Sequence, residues 1–530
     1  MSYPYLSSTK RSSMTKDSAS SFEPPYKCFI DELPNELLLD IFFCGTRCTS
    51  GTAFSFRVST ICQRWRYLAI NSPNLWTSLA MDTTIMPRPV VQSPPSNLST
   101  TFPREFLILE RSSNMDVDIM FAHDRSPKFT PEYFESLSTF FSAHARHIRT
   151  LDVHVDDAVS ASILCSRLHG VVLPRLQKFR LNWDRPYQRL WDPEDRYGLF
   201  SSTHMLDYSH ADNIPTPVDL QQWSTSKYPM LTDVTCAGIP MKWELFSASN
   251  LRTLCLRNDI RREPPIAILR GILFNSMNTL ESLELGDIIN FTDPSELHPV
   301  KARLVLPHVH TLILGNYDPD EIRFAVRAFA FPALRNLAIN APLGDPEKDI
   351  FVTLIRYIPL DQLQKLKFRV TCFHNFVLPH PHLVREGNIM EESLPPPLQF
   401  IRRLTSLHTL ELQCSCESWE PECPGCDIPL RLMNYPTTNS TDQRSGTLNL
   451  PRLQSLSIRA DNRMGPQVLK FLRNRIKLGS VNGEYVGPVL ETLKLFLWTA
   501  RPWEEEYRGL LEDRSYLLSL TKELCIKFDM

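Results

Sequence analysis

The residues whose chemistry is easiest to name are four cysteines, Cys414-x-Cys416-x6-Cys423-x2-Cys426, with Pro424-Gly425 between the last two. Soft thiolates at short spacing are zinc ligands in a reducing compartment, and a Pro-Gly pair supplies the tight turn that a zinc knuckle needs. The Cys-x-Cys start differs from the commoner Cys-x2-Cys, a second knuckle is missing and Cys414 also fits a strand, so zinc binding and reduced loop cysteines both stand as readings. His308, His310 and His408 stand alone on strand-like segments and read as packed or solvated side chains. Other signatures of bond chemistry do not occur: there is no phosphate-cradling glycine loop, nucleophile elbow or metalloprotease helix. With 17 glycines against 42 prolines, nucleotide loops are poorly supported, and a non-enzymatic chain is expected.

Composition narrows the class further. The net charge is −2, from 57 Lys plus Arg against 59 Asp plus Glu, so no overall field draws a phosphate backbone. Nucleic acid is therefore not an expected partner. No apolar run is long enough to cross a bilayer, and no secretory signal precedes the thirteen cysteines, which points to reduced thiols in the cytoplasm or nucleus. A chain of 530 residues exceeds what one compact core holds, so several domains or a repeat array is expected.

One stretch, Ile30 to Leu79, is dense in large apolar residues at helical spacing. Pro34 suits a first helical position, after which Leu37, Leu38, Ile41 and Phe42 form a wide stripe. Val58, Cys62, Trp65, Leu68 and Ala69 make a second run, ended by Asn71-Ser72-Pro73, and Leu75-Trp76 folds back. So small a bundle cannot cover all of these side chains itself. At roughly 1.5–3 kcal/mol for each large side chain fully buried, a docked protein is the natural cover.

The order Leu33-Pro34-x-Glu36-Leu37-Leu38-x-x-Ile41-Phe42, Val58-Ser59-x-x-Cys62-x-x-Trp65-x-x-Leu68-Ala69 and Ser72-Pro73-x-Leu75-Trp76 resembles an F-box, and the Phe43-Cys44 and Ser-Pro-x-Leu-Trp details are similar to the F-box-like proteins of mushroom-forming fungi. The resemblance implies docking to a Skp-type adaptor and, through it, to the cullin and RING subunits of a ubiquitin ligase. It also implies an adaptor-facing set: Leu33, Pro34, Leu37, Leu38, Ile41, Val58, Cys62, Trp65, Leu68, Pro73, Leu75 and Trp76. The connection from Gly45 to Thr52 is longer than the family pattern, which makes a short or irregular middle helix the expectation.

Beyond this stretch an apolar-x-x-apolar-x-apolar template recurs, beginning at Ile148, Leu176, Leu231, Leu251, Leu280, Val309, Leu334, Leu363, Leu407, Leu453 and Leu490. The steps 251 to 280, 280 to 309 and 334 to 363 are each 29 residues, and helix-period segments such as Ile266–Met277, Glu321–Phe329, Ile350–Ile358 and Val468–Ile476 lie between copies. Phe106-Leu107-Ile108-Leu109 and Val117-x-Ile119-x-Phe121 read as two further short strands. The array resembles leucine-rich repeats, without their regular Asn: Asp184, Asp259, Ile288 and Pro342 stand at that position. The expected fold is α/β: a small all-helical F-box followed by an irregular solenoid with a curved parallel sheet. The expected organisation is a disordered arm at 1–27, the F-box at 28–80, a linker at 81–103 and the repeat-like domain at 104–530.

On each repeat strand the template residues point inward, leaving Arg180, Thr235, Cys255, Glu284, Ile313, Ala338, Lys367, Glu411, Ser457 and Lys494 on the other face. The middle of this set is neutral or apolar, so an unknown target protein is expected near Glu284, Ile313 and Ala338, with the insertions 184–227 and 373–400 as side walls. The function that follows is target recognition for a Skp–cullin–F-box ligase. The competing expectation is a scaffold that ubiquitylates nothing.

Overall fold

The computed structural model describes residues 29–48, 52–82, 102–122, 131–155, 171–183, 228–237, 249–257, 266–286, 303–315, 319–341, 350–370, 394–414, 450–461, 490–498 and 521–529, with the short pieces 168, 433, 471, 480–481 and 484–485. The chain forms two compact units, Met1–Leu75 and Trp76–Met530. The expected N-terminal arm, the insertion 184–227, Cys416, Cys423, Cys426, the helix-period segment Val468–Ile476 apart from residue 471, and all of 83–101 lie outside the described residues.

The first unit is helical. A 3-10 turn at Phe29–Glu32 leads into α1 (Asn35–Cys48), followed by α2 (Thr52–Ile61), α3 (Gln63–Ile70) and a 3-10 turn at Pro73–Trp76 that straddles the division. Pro34 precedes α1 and its carbonyl accepts the Leu38 N–H at 3.1 Å, while Glu36 places a carboxylate in the first turn, where the helix dipole favours it. The Val58-to-Ala69 run is two helices, because Cys62 has extended backbone (φ −149°, ψ 170°) and its Sγ accepts the Trp65 N–H at 3.4 Å to cap α3. The middle helix, expected to be short or irregular, is an α-helix of ten residues.

The second unit is α/β and is built on one fourteen-stranded sheet whose strand pairs are all parallel. Its strands are β1 (Ser78–Asp82), β2 (Val117–Ala122), β3 (Ile148–Val155), β4 (Lys178–Trp183), β5 (Asp233–Ala237), β6 (Thr253–Arg257), β7 (Ser282–Gly286), β9 (Thr311–Gly315), β11 (Asn336–Ala341), β12 (Lys365–Val370), β13 (Thr409–Cys414), β14 (Ser455–Asp461), β17 (Leu490–Trp498) and β18 (Thr521–Asp529), neighbours in that order. The two-residue strands β8 (Leu304–Val305) and β10 (Phe329–Ala330) pair in parallel, and β15 (Ser480–Val481) pairs antiparallel with β16 (Glu484–Tyr485). All eleven template copies end on strands of the large sheet. The sheet also extends past them on both sides: β1 crosses the expected boundary at residue 80, and β18 lies beyond the last copy.

One register runs through the sheet. The inward row Leu79, Ile119, Leu151, Phe179, Val234, Leu254, Leu283, Leu312, Leu337, Leu366, Leu410, Leu456, Leu493 is matched residue to residue from β1 to β17, with a single irregularity at Val117/Asp118, and the backbone register continues onto β18 at Leu524. Strand entries are fixed by a repeated backbone device in which one carbonyl accepts two successive N–H groups of the next unit. Arg252 O takes Glu281 and Ser282 at 2.8 and 2.9 Å, His310 O takes Arg335 and Asn336 at 2.9 and 2.8 Å, and His408 O takes Gln454 and Ser455 at 2.8 and 2.9 Å. A carbonyl has two lone pairs, so both donors are satisfied by one acceptor.

Helices cover the inward face. They are α4 (Pro103–Ser112), α5 (Pro131–Ala143), α6 (Ile266–Asn275), α7 (Pro319–Ala328), α8 (Ile350–Tyr357) and α9 (Pro396–Arg403). Phe351 of α8 stacks on Phe368 of β12 at 5.8 Å and meets Phe400 of α9 edge-on at 5.2 Å. The segment Phe106-Leu107-Ile108-Leu109 is helical rather than a strand: Pro103 starts α4, and Glu105, Ile108, Leu109 and Ser112 are its buried positions, at helical spacing. Arg303 ties the layer together, its guanidinium donating to the carbonyls of Val326 (2.9 Å), Phe329 (2.7 Å) and Tyr357 (3.3 Å) while lying over the Tyr357 ring.

His144 follows α5, wedged against Phe140 (5.1 Å) and Phe106 (5.8 Å). Burial, and then the neighbouring His147, lowers its pKa, and among the described residues its Nε2 has no hydrogen-bond partner. The unfolded chain therefore binds a proton there that the folded chain resists. This histidine's effect is absent above the unfolded pKa of about 6.5, and stability falls as pH drops below it. Melting temperature measured between pH 7.5 and 5.5 should fall less steeply for His144→Phe than for the native chain; equal slopes would show that His144 does not contribute.

Candidate functional site

Two surfaces qualify. On the first unit, α1 divides the expected adaptor-facing residues between inside and outside. Leu38 is 0 % exposed and Phe42 1 %, whereas Leu37 is 49 % and Ile41 45 % exposed. Phe42 meets Trp65 edge-on at 5.0 Å, and Val58, Leu68 and Leu75 complete the interior with them. Pro34 is exposed, Leu33, Cys62 and Pro73 are half-buried, and Trp76 is buried in the second unit, with the Arg111 guanidinium 4.5 Å above its ring. The expectation that all twelve face a partner is corrected for Leu38, Val58, Trp65, Leu68, Leu75 and Trp76. These six are already enclosed by their own chain.

Sequence reasoning missed Phe29, Ile61, Tyr67 and Ile70, which are exposed alongside Leu37 and Ile41. The signal was available: Tyr67 and Ile70 fall off the Trp65, Leu68, Ala69 stripe of α3, and Ile61 ends α2 next to the Cys62 break. Polar contacts fix the frame under this surface. Arg64 donates to Asn35 Oδ1 (2.8 and 3.0 Å) and to the Leu33 carbonyl, joining α3 to the start of α1, and the buried Ser55 hydroxyl donates to the Leu75 carbonyl at 2.6 Å. Gly45 permits a close approach of α2, since a Cβ there would lie 2.1 Å from the Phe54 ring.

The second surface is the outward face of the sheet. Its central row reads Ala80, Met120, Asp152, Arg180, Thr235, Cys255, Glu284, Ile313, Ala338, Lys367, Glu411, Ser457, Lys494, Cys525, one residue per strand and in register. Glu284, Ile313 and Ala338 are neighbours on adjacent strands and half-buried. Cys255 is instead buried, and burial, with Glu284 beside it, pushes its thiol up to about 12, so it stays protonated and poorly nucleophilic. Arg257 closes over it, donating to Glu284 Oε1 at 2.6 Å.

The described part of the 373–400 insertion does not wall this face. It supplies α9, whose Phe400 packs beside Phe368 on the inward side. Cys414 closes β13, and the rest of the cysteine quartet lies outside the described residues; among the described residues no group of three or more His, Cys, Asp or Glu could hold a metal ion. Among them also, no helix is long and apolar enough to cross a membrane. Compared with known proteins, the chain matches no family model and no curated protein.

The division of α1 into core and surface sides has a direct test. Leu38→Ala should destabilise the first unit by about 2–5 kcal/mol, whereas Leu37→Ala should change it by less than about 0.5 kcal/mol. Hydrogen exchange read on peptides from residues 35–70 separates the two; similar protection losses would contradict the assignment.

Proposed function

We propose that the first unit is an F-box and the second an irregular leucine-rich-repeat domain, and that the chain is the target-recognition subunit of a Skp–cullin–F-box ubiquitin ligase. The observation that carries the reading is the exposure of six large apolar side chains, Phe29, Leu37, Ile41, Ile61, Tyr67 and Ile70, on the described part of the first unit, residues 29–75. Single exposed apolar residues are ordinary, but this density on a unit that already has a filled interior fits a surface awaiting a protein partner. The motif order supplies the partner's identity, a Skp-type adaptor, and the buried half of the motif holds the exposed half in place.

The parallel sheet supports the repeat reading. One strand per unit, in register, with helices restricted to one side where they are described, is what stacked repeats give, since each unit buries its apolar face only against its neighbours. In this reading the chain works by binding alone: the adaptor docks on the first unit, a target on the outward face, and ubiquitin transfer belongs to the other subunits. Reduced cysteines are consistent with action in the cytoplasm or nucleus. A ubiquitylation assay on the reconstituted complex distinguishes this from a scaffold.

Replacing Leu37 and Ile41 together by Asp should abolish co-purification with the adaptor, because two carboxylates would have to be desolvated in an apolar interface. Since both side chains are exposed, the melting temperature should hold. Undiminished co-purification would overturn the F-box reading.

A further inference from the structure

Charge is unevenly spread on the outward face. From β2 to β7 opposite charges are matched: Asp118 with Arg149 (2.6 Å), Asp152 with Arg180 (3.5 Å) and Glu284 with Arg257. On β12 the cations outnumber the carboxylates paired with them: Lys365, Lys367 and Arg369 stand at alternate positions, opposite Asn336, Ala338 and Asn340 on β11 and Thr409, Glu411 and Gln413 on β13, so one carboxylate faces three cations. Glu411 is shared, at 2.7 Å from Lys365 and 3.4 Å from Lys367. Both lysine side chains remain about half exposed, 48 % and 50 %. In a chain of net charge −2 this is a local cationic field.

Next to it lies an apolar step. Ile313 and Ala338 precede Lys367 in the central row, and the row beyond Ile313 carries Gly286 and Gly315, paired on β7 and β9. Among the described residues, a Cβ on Gly315 would touch only backbone, Gly286 Cα at 3.9 Å and the Leu285 carbonyl oxygen at 4.0 Å, whereas one on Gly286 would meet the Arg257 side chain at 3.2 Å. Neighbouring strands are about 4.8 Å apart, which puts Lys367 about 10 Å from Ile313, the span of roughly three extended residues.

Building on the target-recognition reading, we propose that the outward face takes an extended segment of a target protein that crosses the strands, with a large apolar side chain over Ile313, Ala338 and Gly315 and, about three residues further on, a run of acidic residues over Lys365, Lys367 and Arg369. Glu411 shows that this ground accepts a carboxylate: burial works to raise its pKa, and the hydrogen bond and charge of Lys365, then the charge of Lys367, outweigh burial and hold it below the usual range. A peptide is favoured over nucleic acid because the cations are interleaved with this fixed carboxylate and end at an apolar step. A phosphate backbone would instead meet repulsion at the first and gain nothing at the second.

The test uses the full chain and a fluorescein-labelled peptide carrying Trp-Ser-Gly-Glu-Glu-Glu-Glu, with two controls: the same peptide with Gln for Glu, and a single-stranded oligonucleotide of equal charge. Fluorescence anisotropy should show the acidic peptide binding at least tenfold tighter than either control, and weakening with salt. The triple variant K365E/K367E/R369E should lose it by at least tenfold and Gly315→Leu, which puts a side chain where the peptide's apolar group would lie, by a comparable factor, while Arg252→Glu, away from the face, leaves it unchanged. Peptide binding that survives the triple variant, equal binding of the Gln peptide, or preference for the oligonucleotide would overturn the proposal. Adaptor co-purification is read on the same variants. It should be retained in the triple variant, so its loss in L37D/I41D alone tests the adaptor reading separately from the acidic segment.

Discussion

The register of the inward rows is the constraint on which the rest depends. Each strand contributes two apolar side chains to rows such as Leu283, Leu312, Leu337, Leu366 and Leu285, Leu314, Ile339, Phe368, all buried. Side chains alternate with period two, so a slip of one residue would turn Lys365, Lys367 and Glu411 inward and Leu366 and Phe368 outward. Burying unsupported charges costs several kcal/mol each even after relaxation, and exposing the leucines forfeits roughly 1.5–3 kcal/mol apiece. The shared carbonyls at Arg252, His310 and His408 set the same register from the backbone side, where the next strand begins. Because the inward rows cannot move, the outward rows are fixed as well, and the succession Glu284, Ile313, Ala338, Lys367, Glu411 is a consequence of core packing.

The helical unit obeys a different limit. A unit of this size encloses too little volume for every large residue it carries, so α1 buries Leu38 and Phe42 and leaves Leu37 and Ile41 in water. Ser55 and Arg64 then hold α2, α3 and the Pro73–Trp76 turn around that small interior by hydrogen bonds to the carbonyls of Leu75 and Leu33. An apolar surface on so rigid a support loses little conformational entropy when it is covered.

Much of this was legible in the sequence, and what was not has physical causes. The Leu-x-x-Leu-x-Leu template placed eleven strands because the first leucine fills the turn beneath the sheet while the next two alternate inward, a pattern no helix of that length reproduces. The strand at Thr521–Asp529 lacks that first leucine and shows only the alternation Leu524, Ile526, Phe528, too short a signal by itself. Four consecutive apolar residues at 106–109 fit strand and helix alike, and Pro103 with the spacing of Glu105, Ile108 and Ser112 was the arbiter. In the helical motif, residue order marks a family likeness without saying which side each residue takes. Leu37 and Leu38 are equivalent as letters and opposite in place, because one helical step rotates the side chain by about 100°. The carboxylate shared by Lys365 and Lys367 needed the pairing of β12 with β13, two strands more than forty residues apart.

The two surfaces also differ in the force they can exert. Around Leu37 and Ile41 the driving term is apolar burial, which depends weakly on ionic strength and strengthens somewhat in kosmotropic salts. Around Lys365, Lys367 and Arg369 it is charge at half-exposed side chains, screened within about 10 Å at 0.1 M salt. An assembly using both surfaces would therefore release an acidic segment as ionic strength rises while its apolar contact holds.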